Sequence, residues 1–218
     1  MRGISRCLRL TRGTVHRKFL WLFNHVSSLN IPMTSQVETL YFDELETIEH
    51  TKLKPLSVTV FVDQDYKLLV AEVVEMPAKG RLAQISRAKY GPRKDLREEA
   101  MAKCFKGFKD LKPLKMVSDA KPSYKKYVDR YFPGVPYEIH NQAEKERKRD
   151  RLHENYQKKA HDPMFTINQR FAKLRADIRR LTRRSWCTTK LKENLQMHLE
   201  LYRVYNNLGY KEATKLIA

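Results

Sequence analysis

Two aspartates stand where chemistry is possible. Asp43 follows the β-branched and aromatic run VETLYF (residues 37–42), and Asp119 closes a second short apolar run, LKMVSD (residues 114–119). A lone aspartate after a strand closes the strand or caps the next element. Two of them at corresponding ends of neighbouring strands can do more. If the strand ending at Asp119 lies parallel beside the one ending at Asp43, both carboxylates meet at one sheet edge. Such a pair is a seat for divalent cations, which favour oxygen ligands. Two ions about 4 Å apart can activate a water or hydroxyl and stabilise the leaving oxygen of a phosphodiester.

The elements that must position this pair are legible as period-two and helical patterns. Residues 37–42, LSVTVFVD (56–63) and YKLLVAEVVEM (66–76) read as three strands, with the Asp-Gln-Asp between the last two as a hairpin turn. MPAKGRLAQISRAKYGPRKD (76–95) reads as a long basic loop. Residues 95–111 carry helical spacing at Leu96, Ala100, Cys104 and Phe108. A strand over 114–119, a helix over 122–132 and a fifth strand over 137–140 come next, and the chain from about 141 reads as helical and strongly charged. The order β-β-β-α-β-α-β-α predicts an α/β fold, a mixed five-stranded sheet with flanking helices. Alternation along the first strand puts Glu44 on the face opposite Asp43 and leaves Glu46 to solvent. Tyr124 is expected to pack beside Asp119, and His50, His140 and His161 lack metal-ligand spacing.

Charge narrows the partner. The 218 residues hold 44 Lys and Arg against 25 Asp and Glu, a net +19. That excess points to a polyanion, with nucleic acid first and an anionic membrane surface as its rival. No apolar run is long enough to span a bilayer. Cys7, Cys104 and Cys187 have no paired spacing, which excludes a zinc knuckle or disulfide framework and suits a reducing compartment. The basic residues are concentrated. Within FTINQRFAKLRADIRRLTRRSWCTTK (165–190), Arg175, Arg179 and Arg183, and again Arg180 and Arg184, fall at i, i+4. A solvated helix face would mix acids into such a ridge, as residues 141–160 do. These five arginines are therefore candidates for phosphate contacts, and the 79–94 loop, with Lys79, Arg81, Arg87, Lys89, Arg93 and Lys94, is a second such surface.

The first 20 residues hold six Lys or Arg and no acid, which a mitochondrial transit peptide would also show. A second reading fits better. Thr11 is an N-cap, Val15 and Phe19 face inward, and Ile4-Ser5-Arg6, Leu8, Leu10-Thr11-Arg12 and Thr14-Val15 resemble the second half of a helix-turn-helix of the resolvase and transposase kind. Residues 11–20 would then be the recognition helix, with Arg12, His16 and Arg17 toward DNA. Arg9 holds the place where such turns usually carry glycine. The first helix of the motif is missing, so the chain is expected to be truncated at its front and the arm to depend on the rest of the molecule. The expected division is an arm over 1–23, a linker over 24–35 with Pro32, a catalytic domain over 36–206 and a tail over 207–218.

Three stretches in this order resemble the ribonuclease H-like, DDE-type insertion-sequence transposases of bacteria. YFDELET (41–47) is similar to the family's first-strand aspartate, VSDAKPSY (117–124) to its second-aspartate motif, and INQRFAKLRADIRRLTRRSWCTTK (167–190) to its last, arginine-rich helix. The resemblance covers roughly residues 36–206 and lacks the N-terminal zinc ribbon of the small transposases it looks most like. It implies a cytoplasmic, nucleoid-associated enzyme that holds two Mg²⁺ or Mn²⁺ ions and acts as a homo-oligomer on double-stranded DNA. Such an enzyme cuts element ends and joins them to target DNA. Counting back from Leu174-Arg175, the family's third carboxylate falls on Asn168. The implied catalytic and metal-ligating set is thus Asp43, Asp119 and Asn168. An amide oxygen can ligate a hard cation but brings no charge. Either the chain uses a neutral third ligand, or an acid such as Asp162 replaces it, or the site is dead. In the last case the chain would be a DNA-binding remnant; a basic RNA-binding protein is the alternative from another class.

Overall fold

The computed structural model describes residues 2–28, 37–140, 162–182 and 189–215. Five strands form one sheet in the order β3-β2-β1-β4-β5. They are β1 (Thr39–Ile48), β2 (Pro55–Val62), β3 (Leu68–Glu75), β4 (Lys115–Asp119) and β5 (Tyr137–His140). β1, β2 and β3 form an antiparallel meander. β4 pairs parallel with β1, and β5 parallel with β4. This is the mixed five-stranded sheet that the element order predicts, and the strand order is consistent with the ribonuclease H-like fold that the resemblance implies. Asp63 sets the β2–β3 turn by accepting the N–H groups of Asp65 and Lys67 at 2.9 and 2.8 Å.

Helices cover both faces, so β2 is buried at every position from Leu56 to Val62. On one face lie α4 (Arg97–Gly107) and α5 (Pro122–Tyr131), which make the crossovers between β3, β4 and β5. Their core is aromatic: the Phe42 ring centroid lies 5.1 Å from Phe105, 5.2 Å from Tyr124 and 5.3 Å from Phe61. On the other face, α6 (Phe165–Asp177) and α7 (Lys192–Lys215) bring Ile167, Phe171, Leu174, Leu195 and Leu199 onto Leu45, Val58, Val60 and Val62. Each such side chain contributes about 1.5–3 kcal/mol by burial. α7 kinks at Gly209, which takes φ 74°.

Four features depart from the sequence expectation. β1 does not end at Asp43; it runs on to Ile48, because β2 pairs it through Thr47 and Ile48. The basic segment after β3 is not a bare loop but contains a nine-residue helix, α3 (Leu82–Tyr90). The arginine-rich helix does not run to residue 190. α6 stops at Asp177, Ile178 is extended (φ −109°, ψ 93°), and a 3₁₀ turn over Arg179–Leu181 comes after it. Burial of Leu181 in the core overrides the helical spacing of the arginines, and the Thr182 hydroxyl caps the break by donating to the Arg175 carbonyl at 3.0 Å. Finally, the expected tail over 207–218 is not bare: α7 runs past residue 206 to a break at Gly209, and residues 210–215 are helical again beyond it.

The N-terminal arm is a helix pair, α1 (Arg2–Cys7) and α2 (Arg12–Ser28). Arg9, at the place of the usual glycine, takes the left-handed φ of 52°. Thr11 caps α2: its Oγ1 accepts the Thr14 N–H at 3.1 Å. α2 continues past residue 23 and packs on α7, with the Phe19 and His198 rings 4.6 Å apart.

Candidate active site

Parallel pairing of β1 with β4 sets the site. The register runs Thr39 with Lys115, Leu40 with Met116 and Tyr41 with Val117. Continued by two residues, it puts Asp43 level with Asp119, the last residue of β4. Burial of its surroundings raises the Asp43 carboxyl to about 7, and the nearby charges of Asp119 and Glu44 push in the same direction. The Glu44 backbone N–H, 2.6 Å from Asp43 Oδ1, and the buried Tyr124 hydroxyl, which donates at 3.4 Å, oppose that rise. Asp119 is also raised, first by burial, with the Glu44 charge adding to it and the Lys121 backbone and ammonium opposing it. Asp119 also opens α5, since its Oδ1 accepts the Lys121 N–H at 3.3 Å, and Pro122 begins the helix.

Glu44 and Lys121 enlarge the cluster. The Lys121 ammonium donates to Glu44 Oε1 at 2.6 Å and lies 5.1 Å from the Tyr124 ring centroid. The Glu44 side chain is 9% exposed. Alternation does assign Glu44 to the other face of the sheet, yet its charge reaches Asp43, Asp119 and Tyr124. The sequence signal was available: Lys121 lies inside the VSDAKPSY stretch. Burial beside these carboxylates drives the Tyr124 hydroxyl far above its ordinary range, which makes it a donor and not a nucleophile.

Asn168 lies on the exposed side of α6, and its amide donates to Asp162 Oδ2 at 3.2 Å. The two residues weighed for the third position therefore hold each other. Among the described residues no group of three or more His, Cys, Asp or Glu side chains is assembled for a metal ion. The site offers two desolvated carboxylates, an arrangement that suits a hard cation keeping several waters.

The basic residues divide. Arg12, His16 and Arg17 are exposed on α2. Arg179 is exposed, and Arg175 is half-buried where α6 ends. Arg180 is half-buried; its carbonyl accepts the Thr47 hydroxyl at 3.4 Å and its charge reaches His198. The break after Asp177 removes the straight i, i+4 ridge, and Arg183 and Arg184 lie outside the described residues, as does the 141–160 segment. Arg170, in the same stretch, is buried in the core with Nε and Nη1 lacking hydrogen-bond partners among the described residues.

Among the described residues, no helix is long and apolar enough to cross a membrane. No protein-family model matches the chain, and no curated protein sequence matches it. The chain is similar to one in the cryo-EM structure of a simian T-cell lymphotropic virus intasome in complex with PP2A regulatory subunit B56 gamma. The likeness has a TM-score of 0.34 and 11% identity, over 78% of this chain and 50% of that one. The chain thus spans half the length of the chain it matches, and at that score the likeness carries no argument about activity.

Proposed function

We propose that the chain is a metal-dependent DNA strand-cleaving and strand-transferring enzyme of the DDE type, with Asp43 and Asp119 as its paired metal-binding carboxylates. The observation that carries this reading is their shared level beyond the last β1–β4 pair, in desolvated surroundings that oppose two negative charges. Two Mg²⁺ or Mn²⁺ ions fit such a donor set and would supply activation of the attacking oxygen and stabilisation of the leaving one. The chain's own contribution is to fix the carboxylates, to hold Tyr124 as a donor behind Asp43, and to neutralise Glu44 with Lys121. Asn168 would give a neutral amide oxygen after release from Asp162. Arg12, His16 and Arg17 of α2, with Arg175, Arg179 and Arg180 and the neighbouring Arg183 and Arg184, would hold duplex phosphates. Water would cleave the P–O3′ bond at the element end and leave a 3′ hydroxyl; that hydroxyl would then attack a phosphodiester of a second duplex, form a new P–O bond and displace that strand's 3′ oxygen.

The test is a nicking and joining assay on supercoiled plasmid with a labelled duplex carrying the gene's own flanking sequence, in Mg²⁺ or Mn²⁺. Metal-dependent nicking that disappears in Asp119→Asn, with duplex affinity kept, supports the reading. Glu44, the acid beside the pair, is already held by Lys121 at 2.6 Å, and among the described residues no group of three metal-ligating side chains is assembled; this favours a second reading, a DNA-binding remnant without chemistry. Binding without nicking in either metal would establish that one instead.

A further inference from the structure

We propose that α3 is a rigid duplex-DNA contact, with Arg81 and Lys89 on backbone phosphates and Ile85 packed into the groove between them. The choice of DNA as the polyanion rests on the function proposed above.

Three observations carry the inference. The first is fastening. α3 turns Ser86 inward, where its hydroxyl donates to the Leu53 carbonyl at 2.6 Å. Beyond the helix, Gly91 takes φ 76° and its N–H closes on the Arg87 carbonyl at 3.0 Å. Arg93 then reaches back to the Met76 and Pro55 carbonyls, each at 3.4 Å. A helix held this way presents its outer face at little further cost in ordering.

The second is what that face shows. Ile85 is 54% exposed, and Arg81 and Lys89 lie one turn before and after it. Both cations are exposed, and neither pairs with an acid among the described residues. Lys79 and Arg93, by contrast, are committed to Glu46 at 2.6 Å and Glu75 at 3.5 Å. An apolar tip between two cations without acid partners is complementary to a groove wall flanked by phosphates. A membrane-surface helix would need a continuous apolar stripe; the large apolar side chains α3 exposes are Leu82 and Ile85, and its inner face rests on the 50–54 turn through Ser86 on Leu53 and Tyr90 against His50.

The third is position. The segment leaves the sheet beside Glu46, three residues beyond Asp43, and returns through Asp95 and Arg97. The charge of Arg97 is felt with Glu44 and Glu46, and that of Asp95 with Lys121. α3 itself rests on the 50–54 turn beyond the end of β1, and the chain on either side of it passes Glu46 and comes back within the electrostatic reach of Glu44 and Lys121.

The experiment titrates a fluorescein-labelled 30-base-pair duplex with the full chain by anisotropy at several KCl concentrations. Arg81→Gln with Lys89→Gln should weaken binding about tenfold or more at 0.1 M salt and lower the log–log salt slope by about 2. Ile85→Ala should weaken binding several-fold and leave the slope unchanged, because an apolar contact releases no counterions. Wild-type affinity and slope in both variants overturn the inference. So does wild-type chain that binds phosphatidylserine vesicles and no duplex. Plasmid nicking separates the two proposals. Nicking by wild type with unaltered binding in the α3 variants sinks only the role of α3. No nicking, with binding lost as described, sinks only the enzyme.

Discussion

Two carboxylates held in desolvated surroundings have consequences for protons. Asp43 keeps its proton up to about 7 in the folded chain, above the 3.8 of a free carboxyl. Its stabilising contribution is therefore full below about pH 4 and is lost as pH rises toward 7. Metal-free unfolding should show a decline on the order of 3–4 kcal/mol across that window, and Asp43→Asn should flatten it. An ion bound as proposed would have to displace the same proton, so Mn²⁺ affinity measured by calorimetry should rise with pH and level off above about 7. In the nicking assay, Asp43→Asn or Asp119→Asn should lose about a thousandfold or more of activity with duplex affinity within about twofold. The aspartates were legible because each closes a short apolar run. The pairing of Glu44 with Lys121 was not, since residues 77 apart in sequence meet only through the β1–β4 register.

At the scale of elements, the strands were legible because β-branched runs alternate between turn residues; β2 to β5 lie close to their expected ranges, and β1 runs on past its expected end to Ile48. α3 was hidden because its apolar residues, Leu82 and Ile85, face out and leave no core periodicity to read. The end of α6 was hidden because the arginines keep helical spacing across a break that Leu181 and Thr182 impose from the core. Leu174 joins α6 to the sheet with no exposure, and Leu174→Ala should cost about 2–5 kcal/mol in denaturant unfolding. The arm–α7 contact carries its own pH response. Burial, with the charge of Arg180, lowers His198 from 6.5 to about 4. Stability should therefore be whole above pH 6.5 and fall as pH drops toward 4. The loss should be about 1 kcal/mol after solvent screening, and His198→Leu should lack it.

The whole molecule is a net +19 body whose exposed cations include those on α2, around the end of α6 and on α3. Duplex affinity should fall by about a hundredfold or more between 50 and 200 mM salt, a slope that anisotropy reads directly. Charge excess was plain in the sequence, but which cations were already spent was not: Lys79, Arg93 and Arg170 are turned inward or paired. The extension of β1 beyond the reach of β4 has a dynamic consequence. Asp43 lies at mid-span of a ten-residue strand zipped to β2 on its other side, whereas Asp119 is the terminal residue of a five-residue strand where the chain turns into a helix. Local opening releases strand ends long before strand centres. The two halves of the pair therefore fluctuate on different clocks, one fixed as an anvil and the other free to adjust, and amide exchange should be slow around Asp43 and faster around Asp119.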